Sequence, residues 1–181
     1  DGQVYPLNDS HFPTVDPADP YRLSDGEASL MASLVGAFRR SLALRRHIEF
    51  LYTCGSLYRV CNGNLLFHGC IPLCADGSFD TVRTFDGQSL AGRAYMDFCD
   101  RTARAAFYDG GQNELDFMYY LWCGRQSPLF GRSRMTTFER YFVSDCSAWE
   151  EVKNPYYDLV VEYPAAAAIL REFGLNERSA H

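Results

Sequence analysis

Apolar positions along the chain keep a helical period, switch to alternation, and then return to the helical period. Ser24 and Glu27 form an S-x-x-E capping signature, and Leu30, Leu34, Phe38, Leu42 and Ile48 follow at spacings near three and four. That pattern predicts one long helix over 24–54, stopped near Gly55. Upstream, Pro6, Pro13, Pro17 and Pro20 punctuate residues 1–23, which reads as an extended lead-in. From Leu57 the period shortens. Asn62-Gly63 and Asp86-Gly87 each separate two short apolar runs, which predicts two hairpins over 55–90. Tyr95, Phe98, Cys99, Thr102 and Ala106 then share one face of a helix over 92–108, and 113–123 reads as another, ended by Gly124. Pro164 can open a last helix that Gly174 closes. Residues 91–181 are therefore expected to be mainly helical, and 1–181 to form one domain of α+β content.

Composition narrows the classes. The chain has 181 residues, 47% of them apolar and 15% aromatic, enough for a packed core. Net charge is −6 with no basic block, which argues against nucleic-acid binding through counterion release. No apolar run is long enough to span a bilayer, so no membrane partner is expected. Seven cysteines, none in a C-x-x-C pair, read as free buried thiols of a reducing cytoplasm, ahead of structural zinc or disulfides. Arg39, Arg40, Arg45 and Arg46 read as a solvated helix face, ahead of a phosphate-facing role. The aromatic residues Tyr119, Tyr120, Trp122 and Phe130 read as helix packing, ahead of sugar stacking. The chain starts without Met and stops at Arg-Ser-Ala-His, so a processed protein or an internal piece of a longer one is expected.

The densest candidate for chemistry is NGNLLFHGCIP, residues 62–72. An apolar strand, Leu65-Leu66-Phe67, ends at His68, whose imidazole could project into a site above a sheet. Gly69 would let backbone approach a metal or ligand closely. A histidine in such a place is more often a satisfied core or edge residue.

The wider sequence shifts that balance. The strings GSLYRVCNGNLLFHGCIP, MDFCDR, YLWCGRQSPLFGRSRMTTFERYFV, KNPYY and ILREFGLN occur in this order. Together they resemble the class III fructose-1,6-bisphosphatases of bacteria, within the calcineurin-like metallophosphoesterases. The resemblance implies an α/β fold for the parent, a two-sheet sandwich with flanking helices, of which this chain would be an internal α+β fragment. It implies His68 as a metal ligand, and Mn²⁺ or Mg²⁺ as cofactor of the parent. It implies a sugar bisphosphate substrate, with Arg132, Arg134, Arg140 and Lys153 as candidate phosphate-binding cations. The bland reading beside it pairs Arg140 with an acidic neighbour and leaves Lys153 on the surface. The implied reaction is hydrolysis of fructose 1,6-bisphosphate to fructose 6-phosphate and phosphate, a cytoplasmic step of gluconeogenesis. A homo-oligomer is left open.

The departures are as informative. The superfamily's Asp-x-His, Gly-Asp-x-x-Asp-Arg and Gly-Asn-His elements are absent from this chain and would lie upstream. A final Gly-His element would lie downstream, with His181 leading into it. Two-metal hydrolysis needs several donors at one point, and one histidine cannot hold the pair. The chain alone is therefore expected to be inactive and to bind no metal. Two alternatives stand: another calcineurin-like phosphatase, or a non-catalytic interaction domain.

Overall fold

The structure is a computed structural model, and it describes residues 2–176. In chain order the elements are α1 (Asp25–Arg40), α2 (Leu42–Cys54), β1 (Tyr58–Cys61), β2 (Asn64–Phe67), β3 (Val82–Arg83), β4 (Ser89–Leu90), α3 (Gly92–Tyr108), α4 (Gln112–Cys123), α5 (Thr137–Phe142), α6 (Tyr156–Leu159) and α7 (Tyr163–Glu172). A 3₁₀ turn covers Cys146–Trp149. The chain divides into two compact units. One comprises residues 1–55 with 138–148, the other 56–137 with 149–181.

In the first unit the expected long helix is two helices. The entry is as the sequence signals: Ser24 Oγ accepts from the Glu27 N–H, and the Glu27 carboxylate accepts from the Ser24 N–H. The break comes at Ser41, which leaves helical geometry at φ −71° and ψ 103°. Its N–H closes α1 on the Phe38 carbonyl. Its Oγ accepts from the Leu44 N–H at 3.2 Å, so the same residue caps α2. A serine hydroxyl competes for backbone donors, which is why periodicity alone reads through this point. Neither helix buries a residue among those described, and Phe38 is 67% exposed. The packing of this unit rests on Phe12, whose ring lies 5.5 Å from Phe142 and 6.3 Å from Phe138.

The second unit holds both sheets, each a two-stranded antiparallel hairpin. Asn62 (φ 51°) and Gly63 (φ 77°) are both left-handed, as a two-residue primed turn requires. Tyr58 faces Phe67 and Cys61 faces Asn64 across it. Leu65-Leu66-Phe67 is not the fully buried strand the apolar run suggested. Leu65 and Phe67 are half-buried and Leu66 is exposed, because a two-stranded sheet has only one covered face here. The helices and small antiparallel sheets make an α+β architecture.

Two apolar clusters share α3. Tyr95, Phe98 and Cys99 pack with Val82, Phe117 and Leu121. Met96 turns the other way, toward Cys70, Ile71, Leu73, Tyr156, Ile169 and Phe173. The extended segment Cys70–Leu73 is buried throughout without joining a sheet, so its backbone groups find partners elsewhere. The Cys70 N–H donates to the Pro128 carbonyl at 2.9 Å, and the Leu73 N–H to Asn154 Oδ1 at 3.0 Å. All seven cysteines are free thiols, but only Cys70 and Cys99 are buried. Burial pushes both of those thiols up to about 12. No described helix is long and apolar enough to cross a membrane.

Candidate functional site

His68 follows β2 directly, and its side chain is exposed. The close approach that Gly69 permits is to protein backbone and not to a ligand: a Cβ there would lie 2.2 Å from the Pro128 carbonyl oxygen. Among the described residues no three His, Cys, Asp or Glu side chains come together as a metal site. The donor set around His68 therefore does not fit a two-metal centre. His181 lies outside the described residues.

The basic candidates separate into distinct situations. Arg132 and Lys153 face each other on an antiparallel bridge in the second unit. Arg132 Nη1 pairs with Glu151 Oε2 at 2.7 Å. Glu151 Oε1 accepts from the Thr136 N–H at 2.9 Å and from Thr136 Oγ1 at 2.8 Å. The Thr136 N–H and the Arg132 guanidinium together hold the Glu151 carboxyl down at about 2. Arg132 is thus committed to an internal ion pair. Arg134 donates from Nε to the Glu150 carbonyl at 2.8 Å, which ties it to the same loop. Arg140 lies on α5 in the first unit and is exposed.

Lys153 is exposed, with Nζ 6.0 Å from the centre of the Tyr157 ring. It also lines a cavity of about 380 Å³ together with Arg125, Asp80, Gln126 and Asn154. Here two cations meet a concave surface. Asn154 fixes one wall: its buried Oδ1 accepts from the Leu73 and Tyr156 N–H groups. Asp80 accepts from Gln126 Nε2 at 2.7 Å, which spends one carboxylate oxygen on the wall itself. No described hydrogen bond or ion pair engages Arg125 or Lys153. Such a pocket can take an anion, with two cationic donors at its rim. Sequence reasoning missed Arg125, although it stands in the same YLWCGRQSPLFGRSRM string as Arg132 and Arg134. It lies in the turn after α4 and in no regular element, so it gave no periodic clue.

The aromatic run divides as well. Tyr120 packs against Phe117 in the cluster of Tyr95 and Phe98, whereas Tyr119 and Trp122 are exposed.

Comparison with known proteins fits the arrangement of these strings. A family model described as Firmicute fructose-1,6-bisphosphatase matches residues 1–181. The chain is 47% identical over 186 residues to the "Fructose-1,6-bisphosphatase class 3" of Clostridium novyi, covering 100% of this chain and 28% of that protein. It is 45% identical over 186 residues to the protein of the same name from Clostridium tetani, with the same coverage. The Fusobacterium nucleatum protein of that name is 44% identical over 185 residues, covering 99% of this chain and 28% of that protein. The chain spans about 28% of the length of these curated relatives. No solved structure matches.

Proposed function

The chain belongs to the Firmicute fructose-1,6-bisphosphatase family, and from that premise we propose that it supplies substrate-binding surface to an enzyme that hydrolyses fructose 1,6-bisphosphate. The observation that carries the reading is the match along residues 1–181, which rules in the sugar phosphatases over other phosphatases of the superfamily. The products would be fructose 6-phosphate and inorganic phosphate, a step of gluconeogenesis, and the proposed compartment is the cytoplasm. His68 is the imidazole that the family resemblance assigns to a divalent cation, Mn²⁺ or Mg²⁺. No step of the hydrolysis is assigned to it, because among the described residues no three His, Cys, Asp or Glu side chains gather as a metal site.

The chain's own contribution is cationic. Lys153 and Arg125 share a cavity large enough for a phosphate group and part of a sugar. Phosphate oxygens carry charge that fixed cations hold in place without reorganisation. Arg132 and Arg134 act one step back. Arg132 pins Glu151, and Arg134 pins the Glu150 carbonyl, so the segment leading into Lys153 is held at two neighbouring residues. Arg140 is kept as a phosphate-binding candidate of the first unit. Lys153 and Arg125 are tested in a full-length relative by replacing the corresponding residues with Ala. The expected result is a rise of about tenfold or more in KM for fructose 1,6-bisphosphate, as loss of a charge-assisted contact implies. Unchanged KM and kcat in the double variant would sink the assignment.

A further inference from the structure

We propose that a second cavity, of about 550 Å³ between β1 and α3, binds a small phosphate monoester through Arg59 and Arg101, with Arg93 adding positive charge at its wall. This goes beyond the reading above and does not rest on it. The three guanidiniums come from two elements. Arg59 lies on β1, while Arg93 and Arg101 lie eight residues apart on α3, about 12 Å along the helix axis. Asp97 stands between them on the same helical face, and Asp100 also lines the cavity. Two carboxylates would ordinarily cancel the attraction for an anion.

Here they are already engaged. Asp97 Oδ1 accepts from the Tyr58 hydroxyl at 2.7 Å, and Oδ2 lies 3.7 Å from Arg93 Nε. Asp100 Oδ1 accepts from the Leu57 N–H at 3.1 Å, and Oδ2 accepts from Arg104 Nε at 2.8 Å. Each carboxylate thus has a hydrogen bond on one oxygen and an arginine beside the other. The side chains of Arg59 and Arg101 have no ion pair or hydrogen bond among the described residues. One unpaired arginine on a surface is ordinary. Two that line the same cavity from different elements, beside carboxylates diverted elsewhere, leave a forked donor set with no acceptor.

The rest of the cavity defines the ligand's other half. Phe173 forms an apolar wall, held edge-on against Tyr58 with ring centres 4.7 Å apart. Tyr58 is itself braced by the Arg93 Nε, 3.1 Å from its hydroxyl. A free inorganic ion would use the guanidiniums and ignore the wall. A phosphate ester of a small carbon skeleton would use both, because guanidinium forks match phosphate oxygens in pairs.

The test titrates the 181-residue chain with inorganic phosphate and, separately, with glycerol 3-phosphate at fixed ionic strength. Binding is read from backbone amide and arginine Nε resonances. Saturable shifts at Arg59 and Arg101 are expected, with the ester bound at least as tightly as phosphate. Arg59→Ala together with Arg101→Ala should weaken binding about tenfold or more. Arg125→Ala together with Lys153→Ala should leave these shifts unchanged, which separates this cavity from the other. If the alanine pair fails to fold, Arg59→Gln with Arg101→Gln carries the same expectation. Nonsaturating shifts, or Arg59 and Arg101 resonances that stay still in the wild-type chain, would overturn the proposal. So would unaltered affinity in a folded double variant.

Discussion

Replacing Glu151 by Gln tests whether the loop around Arg132 is held by charge. The carboxylate accepts three bonds, two from Thr136 and one from Arg132. These draw its pKa from the ordinary 4.5 to about 2. Taken whole, that difference would be about 3 kcal/mol of folding free energy. The Glu151 side chain is 13% exposed, but its Arg132 partner is 41% exposed and water screens the pair. A contribution of roughly 1–2 kcal/mol is the working figure. The sign follows from the depressed carboxyl. Its stabilisation is fully present above pH about 4.5 and is lost as pH falls toward about 2. The assay is urea unfolding of the wild-type chain and of Glu151→Gln between about pH 6 and pH 2.5. At about pH 6 the variant should be less stable by roughly 1–2 kcal/mol, since its amide presents an N–H₂ to Arg132 or forfeits the Thr136 bonds. Toward about pH 2.5 the two proteins should converge. A gap that stays constant across that range would refute the charge argument, and no gap at about pH 6 would refute the contact itself.

Two further substitutions probe the core of the second unit. Gly69→Ala would set a methyl 2.2 Å from the Pro128 carbonyl oxygen, so the backbone must move and the Cys70–Pro128 hydrogen bond must loosen. A loss of about 2 kcal/mol or more in thermal or urea unfolding is expected, and a loss below about 0.5 kcal/mol would contradict the close packing. Tyr95→Phe should do the opposite. The Tyr95 hydroxyl is buried with no partner in good hydrogen-bond geometry; burial, first, and the nearby Cys99 and Tyr120 raise its pKa strongly. Removing an unsatisfied hydroxyl should leave stability unchanged or raise it by up to about 1 kcal/mol, whereas a clear loss would reveal a partner for that oxygen.

The elements that could be read from sequence are those whose cause is local. The Asn62-Gly63 turn needs positive φ at two consecutive residues, and the capping box at Ser24 needs only residues three apart. The helical face of Tyr95, Phe98, Cys99, Thr102 and Ala106 was legible because all five are buried together. What escaped depends on distant contacts or on competition within a turn. Ser41 interrupts an unbroken apolar period through one hydroxyl. The Leu65-Leu66-Phe67 run looks fully buried, yet the hairpin covers only one of its faces. Gly69 was assigned to a ligand because the Pro128 carbonyl, 59 positions away by number, cannot be seen from its neighbours. Likewise Arg132 looked like a phosphate clamp, and its use by Glu151 appears only once residues 132 and 151 are brought side by side. Arg125 and Lys153 share a cavity for the same kind of reason, since one precedes a loop and the other follows it.

The buried segment Cys70–Leu73 governs the order in which the second unit can assemble. Its anchors are the Pro128 carbonyl and the Asn154 side chain, both far along the chain. The β1–β2 hairpin can form from neighbours alone, on the microsecond scale typical of hairpins. The segment after it has local support, since the Pro72 carbonyl accepts from the Asp80 N–H at 3.0 Å, but its two distant anchors form only once large loops have closed, and that entropy is lost before those contacts compensate. Its long-range anchoring is therefore a late addition, and amide exchange at Cys70 and Leu73, whose own N–H groups make the distant bonds, should require the unit to open widely.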